Sequence, residues 1–147
     1  MDRRATPLQV LMVEDSPADA EMTMRTLRKR GIANHLVWVR DGVEALDYLF
    51  CENEFAGRNS GDPRMVLLDL KMPRMDGLQV LERIKKDART QRIPVVMMTS
   101  SREEFDLLAS YTLGVNSYVV KPVDFDAFAT TVAQIGMYWM LANEVPD

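Results

Sequence analysis

The chain has one cysteine, Cys51, and one histidine, His35. A lone cysteine cannot close an internal disulfide, so a disulfide-stapled secreted scaffold is excluded and a reducing, cytoplasmic setting is expected. A lone histidine cannot build a His-rich metal site. There is no basic excess: 18 Lys and Arg stand against 22 Asp and Glu, a net charge of -4. That balance exerts no general pull on nucleic acid or on an anionic membrane. No apolar run approaches the roughly 20 residues of a membrane span. The opening Met1-Asp-Arg-Arg-Ala-Thr-Pro lacks the apolar middle of a signal peptide. Internal repeats, low-complexity tracts and linkers are missing too.

What is present suits one globular domain. Apolar residues make up 47% of 147 residues, enough for one core and too many for a disordered chain. A single domain over 1–147 is expected, with its core at about 8–141. About six residues follow the last expected helix, so no output domain is expected. Five strands are expected: Leu8 to Val13, His35 to Val39, Met65 to Leu70, Pro94 to Met98 and Val115 to Val120. Three of these segments, LQVLMV, MVLLDL and PVVMM, are nearly all apolar, as parallel strands covered on both faces are. Helix starts lie between them. Ser16-Pro17 offers an N-cap followed by proline, and Gly31 a stop. Asp41 with Glu44, Asp76 with Gln79, and Ser101 with Glu104 have capping-box spacing. Asp124 precedes a final helix whose Phe125, Phe128, Val132, Ile135 and Trp139 share one face.

Strand and helix thus alternate five times, which implies an α/β doubly wound parallel sheet. The first turn has no glycine-rich phosphate loop, so the flavodoxin-like (βα)5 arrangement, strand order 2-1-3-4-5, is expected rather than a Rossmann one. Ligands of such sheets bind beyond the carboxyl ends of the strands. Those ends carry Glu14-Asp15, Asp69, Thr99 and Lys121. In the order 2-1-3-4-5 they converge on one pocket. Three carboxylates close together need cations among them. Lys121 supplies one, and Mg2+, a hard ion that takes oxygen ligands, would supply the rest. Asp69 then reads as a carboxylate nucleophile that takes a phosphoryl group as an acyl phosphate. Lys121 and Mg2+ neutralise the phosphoryl oxygens, and the Thr99 hydroxyl bonds the product. Trp38 and Trp139 are expected to lie away from this pocket. The polar stretch 52–63 reads as a surface loop without a role.

The strings VEDSPAD at 13–19, LLDLKMPRMDG at 67–77, MMTS at 97–100 and YVVKP at 118–122 resemble the CheY-like receiver domains of two-component response regulators. The resemblance implies that Asp69 is the phosphoacceptor. It implies that Asp15 holds Mg2+ directly and Glu14 through water, with the backbone carbonyl of Lys71 as a further ligand. Thr99 and Lys121 match the family's switch hydroxyl and active-site lysine, and Tyr118 its switch aromatic. Lys71 and Ser101 match positions that tune phosphoryl lifetime. SYTLGVNSYVVKPVDF, IGMYWMLANEVP and the long loop before the third strand resemble the stand-alone regulators paired with bacterial and cyanobacterial phytochromes. The implied function is a single-domain response regulator of a phosphorelay, phosphorylated by a sensor histidine kinase of bacteriophytochrome type. A phosphate sink or relay intermediate for another kinase is the alternative.

Other classes fit less well. A haloacid-dehalogenase-type phosphatase needs a second Asp two residues after the nucleophile, where Lys71 stands. An FMN carrier would set its phosphate against Glu14-Asp15. The chain is therefore expected to be a self-catalysing phosphoacceptor and not an enzyme acting on a separate substrate. Met137, Tyr138, Met140 and Leu141 make the end of the last helix apolar all round. A homodimer through helix 4, strand 5 and helix 5 is expected to cover it.

Overall fold

In the computed structural model, residues 9–29, 35–58, 63–72, 74–104, 106 and 117–134 are described. Five strands form the sheet: β1 (Gln9–Val13), β2 (His35–Val39), β3 (Met65–Asp69), β4 (Val95–Thr99) and β5 (Ser117–Val120). All neighbouring pairs are parallel, in the order 2-1-3-4-5. The helices α1 (Pro17–Lys29), α2 (Gly42–Phe50) and α3 (Gly77–Lys86) follow the first three strands, and a final described helix covers Phe125–Gln134. No helix among the described residues is long and apolar enough to cross a membrane.

The continuous apolar runs are explained by the two helical layers. Successive side chains of a strand point to opposite faces. Val10, Met12, Met65, Leu67, Val96, Met98 and Val119 therefore meet Ala20 and Leu27 of α1 with Phe128 and Val132 of the final helix. Their neighbours Leu11, Val13, Val66, Leu68, Val95 and Met97 meet Ala45, Leu46 and Leu49 of α2 with Val80, Leu81 and Ile84 of α3. Every residue of β3 and β4 is buried. Edge strand β5 is not, and its Val120 is 40% exposed.

The expected N-cap bonds are made, but Glu44 and Glu104 reach back to the Arg40 and Ser100 N–H, one residue before their caps, so their boxes do not close. Ser16 Oγ accepts the Asp19 N–H, Asp41 Oδ1 the Glu44 N–H, Ser101 Oγ the Glu104 N–H and Asp124 Oδ1 the Ala127 N–H. Asp76 and Gln79 form a reciprocal capping box. Strand limits move by a residue or two. β3 stops at Asp69, and β4 runs one residue later than expected, Val95 to Thr99. Gly31, Val115 and Leu8 lie outside the described residues.

The described part of the loop after α2, residues 52–58, has local structure of its own. Asn53–Phe55 form a 3-10 turn. Phe55 sets its ring edge-on to Tyr48 at 5.2 Å. The Arg58 guanidinium lies 4.0 Å from the center of that Tyr48 ring, and its Nε donates to the Tyr48 carbonyl. Phe128, Val132 and partly Phe125 seat the final helix on the sheet as its spacing implied. Ile135, Met137, Tyr138, Trp139, Met140 and Leu141, with most of the fourth expected helix, fall outside the described residues.

Candidate functional site

The parallel register places the site. Val13 pairs with Leu68, so Glu14 leaves β1 beside Asp69, the last residue of β3. Asp69 pairs with Met98, and Thr99 follows. Thr99 pairs with Val120, and the next residue is Lys121, whose N–H donates to the Thr99 carbonyl at 2.8 Å. Four strands thus bring Glu14, Asp69, Thr99 and Lys121 to one end of the sheet. The Lys121–Pro122 peptide is cis.

A close approach fixes the turn behind Asp69. The Gly77 N–H bonds the Leu70 carbonyl at 2.8 Å. A Cβ on Gly77 would sit 2.4 Å from the Asp69 carbonyl oxygen and 2.9 Å from the Leu70 Cα. Only glycine lets α3 begin so near the acidic strand end. The same turn is tied to α2 through an ion pair between Arg74, whose φ is 67°, and the capping residue Asp41. The Asp41 carboxyl lies below its usual range: burial opposes this, but the Glu44 N–H and Arg74 outweigh it.

The carboxylate oxygens of Glu14, Asp15 and Asp69 lie within 4.8 Å of one another. Glu14 and Asp69 are buried and Asp15 is exposed. Lys121 Nζ stands among the acids, 2.8 Å from Glu14 Oε1, 3.2 Å from Asp69 Oδ1 and 3.2 Å from Asp19 Oδ2. Burial, then the charge of Glu14, push the Asp69 carboxyl up to about 7, with Lys121 pulling the other way. Burial by itself would lower Lys121, but hydrogen bonding to Glu14 and the charges of Asp69 and Glu14 raise it above its ordinary value.

This donor set fits a hard divalent ion. All three groups offer carboxylate oxygen, the ligand Mg2+ takes. Glu14 Oε2 is engaged by the Ser16 N–H at 3.1 Å. Its Oε1 is buried and meets Lys121 Nζ at 2.8 Å. One ammonium stands among these three carboxylates, so a divalent cation would offset the negative charge that remains.

Two expected residues are placed differently from the simplest reading. The buried Thr99 hydroxyl donates to the Ser101 carbonyl at 2.9 Å, so it must give up that bond to reach a group on Asp69. The exposed Lys71 side chain turns from the acids to Glu104 Oε2, 2.9 Å away. Glu104 also accepts the Ser100 N–H, and that bond with Lys71 keeps its carboxyl low against the effect of burial. Lys71 therefore straps the turn after β3 to the one after β4. Tyr118 is half-buried on β5 against the α2–α3 layer.

Asp19 and Trp38 were not expected at the site. Asp19 reads in sequence as a helix-start acid, and its place in VEDSPAD was the only pointer to it. Trp38 was expected far away. Instead its indole N–H donates to the Glu14 carbonyl at 2.7 Å, across from the neighbouring strand. His35 begins edge strand β2, at the end opposite the acids.

Residues 10–133 match the response regulator receiver domain model. The chain is 44% identical over 140 residues to "Probable methanogenesis regulatory protein FilR2" of Methanothrix harundinacea (95% of this chain, 88% of the relative). It is 37% identical over 145 residues to response regulator Rcp1 of Synechocystis (99% of this chain, 97% of the relative). The Mn(2+)-bound form of Rcp1 superposes with a TM-score of 0.71, covering 91% of this chain and 95% of that one. The bacteriophytochrome response regulator AtBRR superposes with a TM-score of 0.86 at 50% identity, covering 90% of this chain and 95% of that one.

Proposed function

Because the chain belongs to the response regulator receiver domain family, we propose that it accepts a phosphoryl group from a sensor histidine kinase onto Asp69 and thereby switches a protein-interaction surface. The observation that carries this reading is the convergence of Glu14, Asp15 and Asp69 around Lys121 at one end of the sheet. An Asp69 carboxylate oxygen attacks phosphorus of the phosphohistidine. The new P–O bond forms as the P–N bond breaks, and the imidazole leaves with its electron pair and takes a proton from water. The product is an acyl phosphate on Asp69. Mg2+, held by Asp15, Asp69, Glu14 and the Lys71 carbonyl, would supply positive charge to the phosphoryl oxygens. Lys121 adds a fixed cation at the same place. Thr99 exchanges its bond to Ser101 for one to the phosphoryl group, and Tyr118 follows into the space this opens. The chain is an acceptor that catalyses its own phosphorylation and dephosphorylation.

We propose a phytochrome-type kinase as the phosphodonor, supported by the 50% identity to AtBRR and by near full-length overlap with Rcp1. The same overlap supports action as a single receiver domain. A relay role or phosphate sink beside a different sensor is the second reading, favoured by the 44% identity to a protein named for methanogenesis regulation. A homodimer through the fourth helix, β5 and the final helix remains part of the proposal. Phosphotransfer decides between donors. The chain and its Asp69→Asn variant are incubated with autophosphorylated histidine kinases, with and without Mg2+. An acid-labile 80 Da gain on the native chain only is expected. The same gain on Asp69→Asn would refute the assignment.

A further inference from the structure

Lys121 has a third carboxylate partner that lies outside the metal-competent group. Asp19 Oδ2 accepts from Lys121 Nζ at 3.2 Å, yet Asp19 is not among the acids whose oxygens cluster within 4.8 Å. A closed circuit of contacts brings it there. Glu14 Oε2 accepts the Ser16 N–H, Ser16 Oγ accepts the Asp19 N–H, Asp19 accepts from Lys121, and Lys121 Nζ returns to Glu14 Oε1. The first turn of α1 therefore presents Asp19 to the ammonium independently of Asp69.

An ammonium has three N–H donors, and Lys121 faces three carboxylates. Two of these, Glu14 and Asp69, are the groups that a metal ion and a phosphoryl group would engage. Asp19 lies outside that group, so its contact with Lys121 does not compete with either engagement. A lysine is a point charge on a flexible stem and loses much rotamer freedom when fixed. A partner that persists through the reaction spares that cost at the transition state.

We propose that Asp19 is a positioning residue for Lys121, keeping the ammonium at the rim of the pocket while Glu14 and Asp69 are otherwise engaged. This rests on Asp69 being the phosphoacceptor. The Asp19 side chain is 43% exposed, so its hold is partly screened. A screened pair is worth about a two- to fivefold effect on rate.

The test uses the full chain labelled with 15N, with the Lys121 ammonium resonance assigned by its loss in Lys121→Arg. Its hydrogen exchange with water is measured with and without saturating Mg2+, in wild type, Asp19→Ala and the isosteric Asp19→Asn. Exchange at least threefold faster in Asp19→Ala with Mg2+ present is expected, with Asp19→Asn between the two. Phosphorylation by acetyl phosphate, a small acyl phosphate, should slow about two- to fivefold in Asp19→Ala, while the Mg2+ midpoint stays within twofold. Unchanged Lys121 exchange in Asp19→Ala would overturn the proposal, and so would an unchanged phosphorylation rate. If the wild-type chain takes no phosphoryl group on Asp69, the functional reading fails, and with it the role of Asp19.

Discussion

Replacing Asp69 with asparagine should make the metal-free protein more stable, and by an amount that depends on pH. Asp69 is 5% exposed and titrates at about 7 in the fold, because burial and the charge of Glu14 disfavour its ionised form more than Lys121 favours it. In the unfolded chain the same carboxyl titrates near 3.8. Between pH 4 and 7 the folded protein retains a proton that the unfolded chain has released, so this group's contribution makes stability fall as pH rises through that window and level off above it. The gap corresponds to a ceiling of about 4 kcal/mol at 1.36 kcal/mol per pH unit. Asparagine keeps the shape and removes the charge. It also takes one carboxylate from Lys121, which offsets part of the gain. A net stabilisation of about 1–2 kcal/mol is expected at pH 7.5, a rise of roughly 3–6 °C in Tm for a chain of this size. At pH 5 the difference should shrink to less than half. Saturating Mg2+ should raise the wild type by binding linkage and the variant much less. Urea unfolding followed by circular dichroism at pH 5, 6 and 7.5, in chelator and then in Mg2+, measures each quantity. A variant less stable than wild type at pH 7.5 would refute the reasoning, as would a difference that grows as the pH falls.

Mg2+ binding should change the tryptophan emission, because the Trp38 indole is bonded to the Glu14 carbonyl; the change should vanish in Trp38→Phe, and a response that survives there would place the reporter elsewhere. Gly77→Ala should cost about 2 kcal/mol or more of stability, since its Cβ meets the Asp69 carbonyl at 2.4 Å; phosphorylation by acetyl phosphate should slow with it, and a variant as stable as wild type would contradict the close approach. Phe128→Ala should cost about 3–5 kcal/mol in urea unfolding, because the ring is fully buried between the final helix and the sheet. Tyr138→Glu with Met140→Glu should turn a dimer into a monomer that still accepts phosphoryl groups; sedimentation showing the native chain to be a monomer at tens of micromolar would count against the dimer.

Much of this was legible in the sequence, for a physical reason. Unbroken apolar runs need cover on both faces, so MVLLDL and PVVMM announce central parallel strands and leave little choice of fold. Once the order 2-1-3-4-5 is adopted, the polar residues at or just past the strands' carboxyl ends fall at the same end, so Glu14, Asp15 and Asp69 meet Lys121, and Thr99 follows the strand partner of Asp69. Capping bonds span only a few residues, and those expected at Ser16, Asp41, Asp76, Ser101 and Asp124 were made.

Side-chain direction was not legible. Burial of Glu14 beside exposed Asp15 depends on which way one strand end turns under its neighbours. The choice of Ser101 by Thr99 and of Glu104 by Lys71 depends on how two separate turns approach each other. Trp38 reaches Glu14 because parallel pairing sets two strand ends side by side, a relation that periodicity within either strand does not encode. Asp19 and Lys121 are 102 residues apart, and the first turn of a helix offers several directions for an acid. Local pattern determines which face of an element is buried; only the packed structure determines which distant charge that element meets.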